Sequence, residues 1–214
     1  MKRLFVLIPA LLVAGTVHAQ EGKRTYGVIE YGVTRIENQA AEFGSFFLNA
    51  VGGSVAVTQD TSAGIGRLLF GLRTSPQTAF EFGYFSSQKF GARVAGTSGA
   101  GNAYTSTLDI KTTGFDVAFV WSPMAVNYGD SGLYLKAGAH SSKVEFDWTI
   151  SGAGGTAPLL SSKDSGVGTV FGAGYDWRLA DNAFIKTGVN RYLKLGGDSD
   201  LDATVYSVGV GINF

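Results

Sequence analysis

Tyr206-Ser207-Val208-Gly209-Val210-Gly211-Ile212-Asn213-Phe214 decides the fold. Tyr206, Val208, Val210, Ile212 and Phe214 alternate with Ser207, Gly209, Gly211 and Asn213. One face is wholly apolar and the other small or polar, the period-two signature of a strand with two unlike sides. The same rhythm runs back through the chain. Phe171, Ala173, Tyr175 and Trp177 oppose Gly172, Gly174 and Asp176; Phe115, Val117, Phe119 and Trp121 oppose Gly114, Asp116, Ala118 and Val120. Phe80, Phe82 and Tyr84 oppose Glu81 and Gly83, while Leu68, Phe70 and Leu72 oppose Arg67, Gly71 and Arg73. Leu133 and Leu135 oppose Tyr134, Lys136 and His140. Weaker segments at Ile29–Val33 and Ala183–Val189 complete a set of about eight strands of membrane-spanning length.

Composition narrows the class. Lys+Arg and Asp+Glu number 17 each, so the chain lacks the basic excess of a nucleic-acid binder. Charged residues make up only 16%, and 31 glycines among 214 residues are about twice the usual share. Cysteine is absent, which removes disulfide scaffolds, thiol catalysis and cysteine-ligated zinc.

Residues 1–19 read as a cleaved signal peptide. Lys2-Arg3 precede an apolar run from Leu4 to Val13, and Val17-His18-Ala19 offers small residues to a signal peptidase. The run is too short for the roughly 20 residues of a membrane helix. The remaining 20–214 form one domain with a charge of −2, since 15 basic residues then face 17 acidic ones.

An alternating sheet could be a soluble sandwich, but its second face would then carry well-hydrated side chains. Here that face is mostly Gly and Ala with isolated charges, which suits the narrow interior of a small closed barrel. Trp121, Tyr175, Trp177 and Tyr206 stand near strand ends, where membrane barrels carry interfacial aromatics. In hydrocarbon a sheet must close, because an open edge leaves backbone groups without partners. Connections alternate in length: short turns near 74–78 and 179–182, with a somewhat longer one at 123–131, and long polar or Gly/Ser-rich segments at Glu37–Ala63, Ser86–Tyr104, Glu145–Lys163 and, shorter, Lys194–Leu201. The expected fold is an all-β, eight-stranded antiparallel up-and-down transmembrane barrel with short turns facing the periplasm.

The terminal Ser207, Gly209, Ile212 and Phe214 resemble the C-terminal signal by which bacterial outer-membrane proteins recruit the barrel-assembly machinery. Gly172 to Leu179, with Asn182 and the later Asn190-Arg191-Tyr192, is similar to the sixth and seventh strands of OmpA-like barrels. The chain from about Gln20 to Phe214 therefore resembles the OmpA-like small outer-membrane barrel family, barrel domain only. The resemblance implies an integral outer-membrane location and contact with outer-membrane lipid and lipopolysaccharide. Full-length OmpA proteins continue into a peptidoglycan-binding domain, and the matched region does not extend to one. Cell-wall anchoring is not carried over.

By parity the lumen receives Glu30, Arg67, Arg73, Glu81, Asp116, Lys136, Asp176, Arg178 and Lys186. Charges enclosed in so narrow a space must pair or stay hydrated. A salt-bridged plug is the expected result. Catalytic chemistry is sparse: without the leader, His140 is the one histidine. His140 and Ser142 share a face, which is reminiscent of lipid A deacylases, but Glu145 falls on the opposite face and the pair points to the lumen. Asp198, Asp200 and Asp202 alternate as calcium ligands can, without the Gly and final Glu of a calcium loop. The glycine-rich 98–101 and 152–155 precede no helix, so they are loop segments, not phosphate cradles. No cofactor or metal is expected.

A structural, surface-interaction barrel, monomeric and non-enzymatic, is the leading reading. A narrow channel for small or hydrophobic solutes is the alternative, and a lipid A-modifying enzyme ranks below both. Deleting Phe214, or replacing it with Lys, is expected to abolish assembly. A charge at the interface alone costs only about 0–1 kcal/mol, so the defect would come from lost recognition. The check is the heat-modifiable, folded fraction in outer-membrane extracts; wild-type levels would contradict the assignment.

Overall fold

The computed structural model describes residues 24–36, 49, 53–152 and 155–214. The leader assigned to residues 1–19 lies outside them, as does most of the first long connection. The described residues form ten strands: β1 (Thr25–Ile36), β2 (Ser54–Gln59), β3 (Ser62–Arg73), β4 (Thr78–Ser87) and β5 (Phe90–Thr97), then β6 (Ala103–Trp121), β7 (Gly132–Gly152), β8 (Gly155–Arg178), β9 (Ala183–Leu193) and β10 (Ala203–Asn213). Eight of them close a ring in the order β6-β4-β3-β1-β10-β9-β8-β7, with β7 returning to β6. Every neighbouring pair is antiparallel.

Strands β2 and β5 stand outside the ring. The Thr113–Trp121 half of β6 pairs with β4, while its Ala103–Ile110 half pairs with β5, and β2 adds to β5. The sheet therefore continues past the closed barrel on the side of the long connections.

This differs from the expected loops at Ser86–Tyr104 and Glu145–Lys163, most of which are strand. The physical reason is a second apolar face. Val94 and Tyr104 are buried, and Val55, Val57, Trp148 and Ile150 pack against them. Only the tips turn. Gly101 adopts φ 82, a conformation open to glycine, where Ser98 N–H meets the Asn102 carbonyl at 2.9 Å. The ladder slips once, between Trp148 and Thr149, a bulge that twists and blunts the exposed edge.

Side-chain placement is inverted relative to a soluble protein. Ile29 is 70% exposed on the outside of the cylinder, whereas Glu81 is 0% exposed within it. Apolar side chains face outward on every ring strand, as Val208, Val210 and Ile212 do on β10. Among the described residues no helix is long and apolar enough to cross a membrane; the strands cross instead.

The apolar band has an edge that can be located. Phe171 and Ser161 point outward from the same strand, both exposed. Phe171→Arg, near mid-depth, is expected to cost about 2–4 kcal/mol, and Ser161→Arg, beyond the band, close to nothing. Urea unfolding midpoints in lipid vesicles measure both; equal losses would contradict this placement of the membrane.

Candidate functional site: the charged lumen

The barrel interior is layered. At the short-turn end Tyr26, Val28, Leu69, Ala79, Val120, Tyr134 and Phe184 form one apolar cluster. At the other end lies a second, built around Ile65, Phe85, Val144, Val170, Tyr192 and Val205. Between them runs a chain of charges drawn from seven strands.

Glu30 on β1 accepts from Arg67 on β3 at 2.6 Å, and Arg67 reaches Asp116 on β6 at 3.2 Å. Lys136 on β7 lies 3.9 Å from Asp116 and 3.3 Å from Glu81 on β4. Lys186 on β9 then pairs with Glu81 at 3.1 Å and with Asp176 on β8 at 3.3 Å. Acids and bases alternate along the whole path. Apart from Asp176, whose side chain is 20% exposed, each charged group is nearly inaccessible.

Tyrosines complete the acceptors' coordination. Tyr26 donates to Glu81 at 2.8 Å and Tyr192 to Asp116 at 2.7 Å. Ser207 donates to Glu30 at 3.3 Å. The ammonium of Lys186 also sits 3.7 Å from the centre of the Tyr134 ring, where the ring quadrupole attracts it.

One pair matters most for geometry. In the ring order β4 and β9 stand four places apart, on opposite walls. The Glu81–Lys186 bridge therefore spans the bore, which an eight-stranded cylinder leaves barely wide enough for side chains.

Glycines make the room. Tyr26 leans over Gly71, Tyr134 over Gly174 and Phe184 over Gly211, each the residue directly opposite on the next strand. Glu30 likewise lies over Gly209 and Asp116 against Gly83. A methyl group at any of these would collide with the facing side chain. Gly209, assigned above to the assembly signal, thus also clears the space that Glu30 occupies.

Two of the nine residues assigned to the lumen stand apart from this chain of charges. Arg73 stays partly buried near the turn end, 4.2 Å from the Tyr26 ring and bonded to Asn213 at 2.8 Å. Arg178 is a correction. Its parity is inward, but it stands beyond the rim, paired with Asp181 at 2.7 Å and Asp130 at 3.8 Å. Arg178 is the last residue of β8, still paired with Phe184 on β9 but beyond the end of the β7–β8 pairing at Gly132 and Asp176, so its side chain turns to the rim acids. Without it the interior holds four acids and four bases.

The connection between β9 and β10 is also more than a polar loop. Leu195 and Leu201 are buried in the outer cluster, joined by a backbone bond of 2.8 Å. Gly196 N–H donates to Ser142 Oγ at 2.8 Å. Asp202 accepts from Arg191 and from the Lys194 amide, Asp198 from the Asp200 amide and Asp200 from the Ser199 hydroxyl, so all three alternating aspartates accept bonds from within or beside the turn. His140 Nε2 contacts the Leu193 carbonyl at 2.9 Å. Ser142 and His140 are therefore each engaged with this cap, not with one another.

Trp121 and Trp177 are half exposed at the short-turn end, where the Tyr175 ring lies tilted against Trp177 with ring centres 4.3 Å apart. Tyr206 is half exposed at the other end, beneath the Arg35 guanidinium. Ile212 and Phe214 face outward and Gly209 inward. Sequence reasoning missed Tyr26, Phe184 and Tyr192 as inward residues. Their parity with Glu30, Lys186 and Asn190 was the available signal.

Comparison with known proteins fits this geometry. The model of the outer membrane protein beta-barrel domain matches residues 5–214. A search of curated proteins finds no match. Among solved structures, the N-terminal β-barrel domain of Pseudomonas aeruginosa OprF aligns at 12% identity and a TM-score of 0.52, over 91% of this chain and 100% of that one. OprG from the same organism aligns at 14% identity and a TM-score of 0.50, over 90% and 97%.

Replacing Arg67 with Leu leaves Glu30 and Asp116 without their shared cation. The loss is expected to be about 3–5 kcal/mol, the cost of stranding a buried charge. Adding Glu30→Gln to that variant should recover part of it. Urea unfolding in lipid vesicles provides the measurement; a single variant as stable as wild type would contradict the pairing.

Proposed function

Since the chain belongs to the outer membrane protein β-barrel family, we propose that it is an integral barrel of the bacterial outer membrane with a structural and surface-interaction role. Its long-connection end, with the sheet of β2 and β5, faces the exterior. The leader directs export, and Ser207, Gly209, Ile212 and Phe214 direct insertion by the assembly machinery. Closure consumes the edges of the eight ring strands within the membrane, which supports a monomer.

The observation that carries this reading is the Glu81–Lys186 bridge across the bore, closed above and below by apolar clusters. A lumen so obstructed favours display over transport. The engagement of Ser142 and His140 with the cap supports a non-catalytic barrel.

A narrow channel is the second reading, and one observation favours it. Asp116 Oδ1, His140 Nδ1 and Asn190 Oδ1 are buried without hydrogen-bond partners. Such atoms invite internal water, and a water chain would be the first segment of a permeation path.

Planar-bilayer recording decides between them. The full chain is expected to give little or no steady current, and Lys186→Met to raise it by removing the transverse bridge. A wild-type barrel that is steadily open, with current indifferent to Lys186→Met, would install the channel reading in its place.

A further inference from the structure

The outside of β6, β7 and β8 changes character in registered steps. Phe115, Ser141 and Val167 form the last row that continues the apolar band. Thr113, Lys143 and Ser165 follow, then Lys111, Glu145 and Lys163. On β6, Lys111 stands ten residues outward from Trp121. At a rise of about 3.3 Å per residue and a tilt of about 35–45°, that is about 25 Å along the membrane normal. An apolar band is about 25 Å tall, so Lys111 lies where hydrocarbon gives way to headgroups. Lys143 stands equally far from Leu133 on β7.

These lysines are not balanced locally. Lys143 and Lys163 both pair with Glu145 Oε1, at 3.0 and 3.3 Å. Lys111 is the register partner of Glu145 from the other side and makes no ion pair among the described residues. Three ammonium groups thus surround one carboxylate, which Lys143 and Lys163 hold below the usual carboxylate range. Farther out, Asp109 and Asp147 share Lys89 at 3.2 and 3.6 Å, so across these rows four lysines still outnumber three acids.

We propose that Lys111, Lys143 and Lys163 form a docking site for the phosphate groups of a phosphorylated lipid in the adjoining leaflet. Excess positive charge at headgroup depth attracts anionic lipid, and the Thr113 and Ser165 hydroxyls beside Lys143 offer further donors to phosphate oxygens. The reading above enters only in placing that leaflet at the cell surface, and hence in choosing lipid A as the ligand.

The test uses the full chain in phosphatidylcholine vesicles with and without diphosphorylated lipid A, with retained lipid measured by native mass spectrometry. Each Lys→Gln change is expected to reduce lipid A retention about fivefold, and Lys→Arg at all three positions to preserve it. In phosphatidylcholine alone the triple Gln variant should unfold at the wild-type midpoint. Equal retention by wild type and triple Gln variant would overturn the proposal. So would equal retention of dephosphorylated lipid A, competition by free inorganic phosphate at matched concentration, or a triple Gln variant destabilised equally with and without lipid A. Conductance of the same samples reports on the plugged lumen independently, so failure of one reading is separable from failure of the other.

Discussion

Backbone hydrogen bonding in hydrocarbon is the constraint on which the rest depends. An unpartnered N–H or C=O costs several kcal/mol where no water can reach it. A sheet that crosses a membrane must therefore return to its own first strand, and here β10 does so by pairing with β1 from Tyr26–Asn213 to Ile36–Ala203. Closure with eight strands fixes a narrow bore. Everything placed inside must then be accommodated with little help from bulk water.

That requirement explains the interior chemistry. Isolated charges would be costly, so Glu30, Arg67, Asp116, Lys136, Glu81, Lys186 and Asp176 are threaded into one alternating chain. Apolar clusters close both ends, the outer one using Leu195 and Leu201 folded back from a connection. Such a network adds little net stability over an apolar core, yet losing one member strands its partner. Its consequence here is obstruction and a single arrangement of strands. The freedom left to the molecule lies outside the membrane, where the sheet extends past the ring and the connections can vary.

Much of this was legible in the sequence, and the limits have physical causes. Tyr206 to Phe214 announced a strand because lipid and lumen impose opposite demands on alternate residues. The same parity separated Phe80 and Phe82 from Glu81. Above the membrane that contrast fades: Asp147 and Thr149 face water while Trp148 and Ile150 meet only a small cluster. The segment Glu145–Lys163 therefore read as loop although its alternation persists. Parity also placed Arg178 inside, because it carries no information about where β7 stops covering β8 and the rim begins. Nor could it pair Glu81 with Lys186, since that contact depends on which strands lie opposite across the closed ring. Conversely, the abundance of glycine was visible at once, but its use as a seat for Tyr26, Tyr134 and Phe184 emerged only from the register.

A plug of paired charges between two apolar layers should seal the lumen from water. The chain contains no cysteine, so single introduced thiols report without interference. Asn190→Cys places one in the buried interior, and Ser161→Cys places another on the exposed outer sheet. Both would be challenged in lipid vesicles with a small, water-soluble, membrane-impermeant thiol reagent. A sealed lumen gives rapid labelling at position 161 and protection at position 190 until denaturant is added. Labelling of both at similar rates in the folded barrel would contradict it.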